Sequence, residues 1–195
     1  RVTGLGRATS HRFLKALVDQ GLVELDHESG RYFLGMKLLV LSGAASNRFG
    51  LARRAQPALQ RLAERTGDTI YLSLRIGDAA ICLDRLEGAF PIRTLTLKIG
   101  DRRPLGVGAG SLALLAFLPP NEIHRIVAQQ ATAAAAFGFD QATLLSLTEA
   151  TRLQGYAFND QRLIPGMCAV GVPVNGRSGA PVAALSVAAI ASRMD

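Results

Sequence analysis

Tryptophan is absent from the 195 residues, and cysteine occurs only twice, histidine three times and lysine three times. Cys82 and Cys168 form no CxxC pair, which excludes a disulfide scaffold and a cysteine-rich zinc site. Two isolated thiols fit a reducing compartment, where each reads as a small buried hydrophobe. His11, His27 and His124 are scattered with no HxH or HxxxH spacing, so no metal and no other cofactor is expected. No GxSxG occurs, and no nucleophile has an evident base beside it, so the chain does not read as an enzyme. Long apolar runs are missing too. The uncharged stretches Pro104–Asn121 and Ser178–Ser192 are both broken by Gly or Pro, so no membrane span and no membrane partner is expected. No secretory signal is visible, and the expected location is cytoplasmic.

What remains is a chain with 49% apolar and 19% charged residues, enough to bury a real core. Its charge is unevenly placed. Residues 1–66 carry +6 of the net +7, and residues 67–195 carry only +1. A basic first third joined to a near-neutral remainder suggests a polyanion binder with a second function.

Residues 6–21 read as one helix stopped by Gly21. Leu22–Leu25 and Arg31–Leu34 read as short strands around the turn-rich Asp26–Gly30. Helix and hairpin in that order form the back half of a winged helix-turn-helix, and its remaining helices are expected upstream of Arg1. Met36–Phe49 and Leu51–Thr66 follow as helices, with Pro57 inside the second. Past Gly67 the apolar period drops to about two. Thr69–Ile76, Ala79–Leu86 and Ile92–Ile99 are expected strands. Ser111–Leu118, a helix capped by Asn121 and running to about Ala136, and Gln141–Gln154 are expected helices. Tyr156–Asn159, Ala169–Val174 and Val182–Ala188 close the pattern as strands. The expected class is α+β, with a central antiparallel sheet in the second domain.

On a helical wheel, Arg7, Ala8, His11, Arg12 and Lys15 share one arc, and Phe13, Leu14 and Leu17 share the opposite one. A small-plus-basic front fits a DNA major groove, and Arg31 on the hairpin suits a phosphate. Taken alone, the same helix could be an ordinary solvated amphipathic one. The glycine-rich Gly106–Ser111 opens a helix whose N–H groups suit a carboxylate, or it serves tight packing at a corner. Its spacing is not that of a dinucleotide fingerprint.

The run GLGRATSHRFLKALVDQGLVELDHESGRYFLG resembles the recognition helix and wing of IclR-family bacterial transcription regulators. TGDTIYLSLRIGDAAICLDRLEG, GDRRPLGVGAGSLALLAFLP, RLQGYAFNDQRLIPGMCAVGVPV and GAPVAALSV resemble successive segments of that family's effector domain. The resemblance implies a winged helix-turn-helix over 1–35, a dimerising linker helix over 36–50 and a GAF/PAS-like effector-binding domain over 51–195. It implies operator DNA as partner, faced by Arg7, Thr9, Ser10, His11, Arg12 and Arg31. It implies a homodimer or dimer of dimers, and a small organic acid as effector. By position, the family's polar pocket groups fall on Asn159, Ala169, Ser186 and Ala188, and its apolar wall on Leu95, Ala109, Gly110 and Met167. Ala169 and Ala188 stand where a hydroxyl or thiol can occur, and Leu112 where a basic residue is common. Those departures imply a less polar pocket suited to a larger, more apolar or aromatic acid. The competing readings are an enzyme on a GAF-like sheet and a thiol redox sensor using Cys82 or Cys168.

Overall fold

The computed structural model describes residues 4–41 and 50–194. The chain divides into two compact units, Arg1–Arg53 and Arg54–Asp195.

In the first unit, helix α1 covers Arg7–Asp19. It closes at Gly21, whose φ is +67°. The Gly21 N–H donates to the Val18 carbonyl at 2.8 Å and the Leu22 N–H to the Leu17 carbonyl at 3.0 Å. This paired closure needs left-handed backbone, which glycine adopts without strain. Strands β1 (Val23–Leu25) and β2 (Tyr32–Leu34) then pair antiparallel. Asp26 organises the turn between them. Its carboxylate accepts the N–H groups of Glu28 at 3.1 Å and Ser29 at 3.3 Å, and the Ser29 hydroxyl. Those bonds, the hydroxyl foremost, hold the Asp26 carboxyl below its ordinary pKa. Residues 37–41 are helical, and residues 42–49 of the expected linker helix lie outside the described residues.

Helix α2 (Leu51–Thr66) leads into an α+β unit built on one six-stranded sheet. The strands are β3 (Thr69–Ile76), β4 (Ala79–Leu86), β5 (Arg102–Pro104), β6 (Ala157–Asp160), β7 (Met167–Asn175) and β8 (Pro181–Ile190). Their order is β5-β4-β3-β8-β7-β6, antiparallel at every step. Helices α3 (Ala109–Ala116), α4 (Pro120–Gln129), α5 (Ala131–Ala135) and α6 (Gln141–Gln154) supply the other half of the core. Every residue of α3 is buried, which is why its sequence AGSLALLA shows no polar face. Leu115, Ile126 and Leu144 are fully enclosed, and each contributes about 2 kcal/mol by leaving water. Asp140 caps α6 by accepting the Thr143 N–H at 2.7 Å, which keeps its carboxyl in the ionised form.

Two expected elements differ. Ile92–Ile99 joins no sheet, running from a bend at Ile92 to a turn at Ile99, and the short β5 takes the edge beside β4 instead. The alternation in IRTLTLKI is that of a strand, but its backbone groups are satisfied by side chains. The Thr94 carbonyl accepts the Tyr71 hydroxyl, and the Thr96 N–H donates to the Tyr71 oxygen at 3.1 Å. The Thr96 carbonyl accepts Arg103 at 2.9 Å and the Leu97 carbonyl accepts Arg85 at 3.0 Å. With those needs met, no ladder is required. The helix expected from Asn121 to Ala136 begins at Pro120 and breaks at Gln130 into α4 and α5. Proline at the first helical position loses no hydrogen bond, so Pro119 becomes the cap and Asn121 falls inside the first turn.

Candidate functional site

The strand period sets the floor of a cavity in the second unit. Tyr71 and Ser73 of β3 share a face, and the register places Ser186 opposite Tyr71 and Ala188 opposite Ala169. Asn159 of β6 lies opposite Ala169 and extends the row across the sheet. The N-terminus of α3 closes down on this row through two glycines. A Cβ on Gly171 would lie 2.6 Å from the Ala109 carbonyl carbon and oxygen, so only glycine lets α3 approach β7 that closely. A Cβ on Gly110 would lie 3.2 Å from both the Ser73 and Ser186 hydroxyl oxygens. The third wall is the 92–99 segment, pinned to the sheet by Thr94, whose hydroxyl donates to the Ala188 carbonyl at 2.6 Å.

The enclosed space is about 60 Å³. Of the eight effector residues taken from the resemblance, Ala109, Gly110, Asn159, Met167, Ala169, Ser186 and Ala188 line it. Leu95 does not. It points outward and is 51% exposed, while its neighbours Thr94, Thr96 and Leu97 form the wall. Leu112, which stands where the family often has a basic residue, is buried in the hydrophobic core.

The cavity is more polar than its two alanines suggested. Tyr71, Ser73, Thr94, Thr96, Asp101 and Arg103 line it, and none had been singled out as an effector ligand. A usable signal existed. Tyr71 and Ser73 alternate on one face of TIYLSLRI, and in the edge strand RRP the same alternation turns Arg103 inward and leaves Arg102 exposed. Asp101 is exposed and accepts the Lys98 N–H at 2.8 Å, but it also stands at the cavity wall.

In the first unit, Arg7, His11, Arg12 and Lys15 are all exposed along α1, and Arg31 is exposed at the start of β2. Thr9 and Ser10 are half-buried and flank that arc, and the Ser10 hydroxyl donates back to the Gly6 carbonyl at 3.1 Å.

The family model for the C-terminal part of the bacterial transcriptional regulator IclR matches residues 43–195. The chain belongs to the IclR family. The HTH-type transcriptional regulator XynR of Escherichia coli is 30% identical over 197 residues, spanning 100% of this chain and 78% of that protein. A crystal structure of an IclR transcriptional regulator from a Silicibacter species matches with a TM-score of 0.86 at 25% identity, over 100% of this chain and 77% of that one. An IclR homologue from Microbacterium hydrocarbonoxydans, solved in complex with 4-hydroxybenzoate, matches with a TM-score of 0.74 at 23% identity, over 95% and 77% of the two chains.

This IclR-family member is thus a transcriptional regulator whose sheet cavity is lined by two cysteines, Cys82 and Cys168. Burial pushes the Cys82 thiol up to about 11. A thiol in that state is a poor nucleophile at neutral pH, against the redox-sensor reading for this residue. The shift also fixes a sign. The folded state keeps the thiol proton over a pH range where the unfolded chain has lost it, so Cys82 lowers stability as pH rises from about 9 towards 11. Cys82→Ala should flatten that alkaline decline in urea titrations. An unchanged slope between pH 8 and 10.5 would show that the thiol titrates normally. No helix among the described residues is long and apolar enough to cross a membrane, and no cluster of three or more metal-ligating side chains occurs among them.

Proposed function

We propose that this regulator reads operator DNA with the exposed arc Arg7, His11, Arg12 and Lys15 of α1, and that Arg31 on the hairpin holds a phosphate. A small organic acid in the sheet cavity changes that binding. The observation that carries the reading is the basic arc itself. It holds four exposed polar or basic side chains around the small Ala8, on a helix followed directly by a hairpin, in a chain of a DNA-binding regulator family. Thr9 and Ser10, half-buried at the two edges of the arc, complete that face.

The effector works by binding one arrangement of the protein more tightly than another. The regulator acts as a homodimer or dimer of dimers in the cytoplasm, where its operator is. Leu39, Val40 and Leu41 in the helical residues 37–41 are 67%, 70% and 49% exposed, a surface suited to a second copy of the chain. The cavity bounds the effector's size. A benzene ring fills a cavity of roughly 150 Å³, against the 60 Å³ present here. An acid of a few heavy atoms fits directly. An aromatic acid, such as the 4-hydroxybenzoate held by the Microbacterium protein, fits only if the 92–99 wall or Leu163 moves outward.

The test uses DNA selected by the full protein from a random pool. Arg12→Ala should weaken binding about 5- to 100-fold in fluorescence anisotropy and reduce the salt slope by about one if the contact is to phosphate. Its acid-induced thermal shift should be unchanged. Equal DNA affinity at matched salt would refute the assignment of this face.

A further inference from the structure

We infer that Arg103 is the group that reads the effector's negative charge, a role that neither the family resemblance nor the relatives assign to it. The inference rests on the cavity being the effector site. Three arginines of the described residues are half-buried: Arg75, Arg85 and Arg103. Arg75 is paired with Glu122 and Arg85 with Glu87 at 3.0 Å. Arg103 has no carboxylate partner among the described residues. Its guanidinium donates to the Thr96 carbonyl at 2.9 Å and lies 5.8 Å from the centre of the Phe137 ring. A guanidinium carries five N–H donors in a planar fork, so most of its capacity is unspent, and it lines the cavity.

The backbone around it is shaped to leave that fork free. Gly108 has φ +90°, and a Cβ there would lie 3.2 Å from one terminal nitrogen of Arg103. Any larger residue at 108 would crowd the guanidinium as well as strain the backbone. Gly108 is itself the N-cap of α3, which begins at Ala109 with no side chain capping it, and the first-turn N–H groups of a helix have no partner within the helix. The Ser73 and Ser186 hydroxyls flank Gly110 and make no side-chain hydrogen bond among the described residues. The cavity therefore offers a fork of donors on one wall and hydroxyls with amide donors on another. A carboxylate takes two parallel N–H bonds from such a fork.

The energetics point the same way. Burial is the largest influence on Arg103 and disfavours its charged form. The nearby Asp101 carboxylate favours the charge and offsets part of that cost, and an anion bound against the fork offsets more. Asp101 is the one carboxylate among the lining residues. It is exposed at the rim and engaged by the Lys98 N–H, so it offsets the charge of the fork only in part and also repels an incoming acid.

The experiment compares pyruvate, lactate, benzoate and 4-hydroxybenzoate, each beside its primary amide, by thermal shift and calorimetry on the intact chain. At least one acid should raise Tm, and its amide should not. Arg103→Gln should weaken that acid about 10- to 100-fold. Arg103→Lys, which keeps the charge but loses the fork, should fall between Gln and wild type. Asp101→Asn should bind the acid as tightly as wild type or several-fold more tightly. An amide that binds as well as its acid, or an Arg103→Gln variant with wild-type affinity and an unchanged Tm without ligand, overturns the inference. If selected DNA is still released by a neutral ligand, the regulator reading stands and Arg103 alone is removed. If no panel member binds wild type, both this inference and the acid-effector reading are overturned.

Discussion

Gly171→Ala should lower the unfolding free energy by about 2–3 kcal/mol and abolish acid-induced stabilisation. The new Cβ would sit 2.6 Å from the Ala109 carbonyl carbon and oxygen and 2.9 Å from the Gly110 nitrogen. All three are backbone atoms, so no rotamer change relieves the overlap. Either β7 bends away or the N-terminus of α3 lifts off the sheet. Lifting α3 separates Ala109 and Gly110 from Ser73 and Ser186, which opens the cavity where the amide and hydroxyl donors converge. It also disturbs the core that α3 fills with eight buried residues. Urea denaturation should show a lower midpoint at an unchanged m-value. Gly6→Ala is the control, because an added Cβ there has nothing within 4 Å. A Gly171→Ala protein with wild-type midpoint and wild-type ligand shift would show that α3 and β7 are not in contact as described.

The way these elements form explains what could be read in advance. Period-two alternation fits β3 at Thr69–Ile76 and β4 at Ala79–Leu86 because the two strands pair along their whole length, with one register shift between Leu72 and Ser73. α6 was equally legible at Gln141–Gln154, with Asp140 capping one end and Gly155 in left-handed backbone closing the other. The 92–99 segment was misread because alternation reports burial of every second side chain. It does not report what satisfies the backbone. Here partners come from Tyr71, Arg85 and Arg103, at separations of 7 to 25 residues, and no local pattern encodes that. The pocket shows the same division. Residues that sit in regular strands or at a helix start, such as Asn159, Ser186 and Gly110, could be placed by position alone. Leu95 could not, because its side depends on a wall held by side chains. Arg103 went unnoticed because a charged pair ahead of a proline looks like solvated surface. Its inward turn depends on β5 joining the edge of β4, a long-range pairing.

Tyr71→Phe is expected to have the second large effect, a loss of about 1–3 kcal/mol with loosening of one cavity wall. Tyr71 is 2% exposed, and its oxygen serves two backbone groups at once. It donates to the Thr94 carbonyl and accepts the Thr96 N–H at 3.1 Å. Phenylalanine keeps the ring and its apolar contacts with Cys82 and Ala188, so no cavity is created in that cluster. What is lost is the only side-chain partner the Thr96 N–H has among the described residues. A buried backbone group without a partner bears its full desolvation cost, which is larger than the net worth of the bond removed. The wall does not detach entirely, because the Thr94 hydroxyl still holds the Ala188 carbonyl and Arg103 still holds the Thr96 carbonyl. The consequence is local opening of the 92–99 segment at a lower free energy than global unfolding. Hydrogen exchange at the Thr96 amide should speed up by about 5- to 100-fold, and amides in β7 and β8 should speed up only as far as the loss of global stability requires. The same loosening should favour larger ligands over small ones, since the wall that limits the enclosed space is the one released. If Tyr71→Phe leaves Thr96 exchange unchanged and still admits only the smallest acids, the segment is anchored by something other than this hydroxyl.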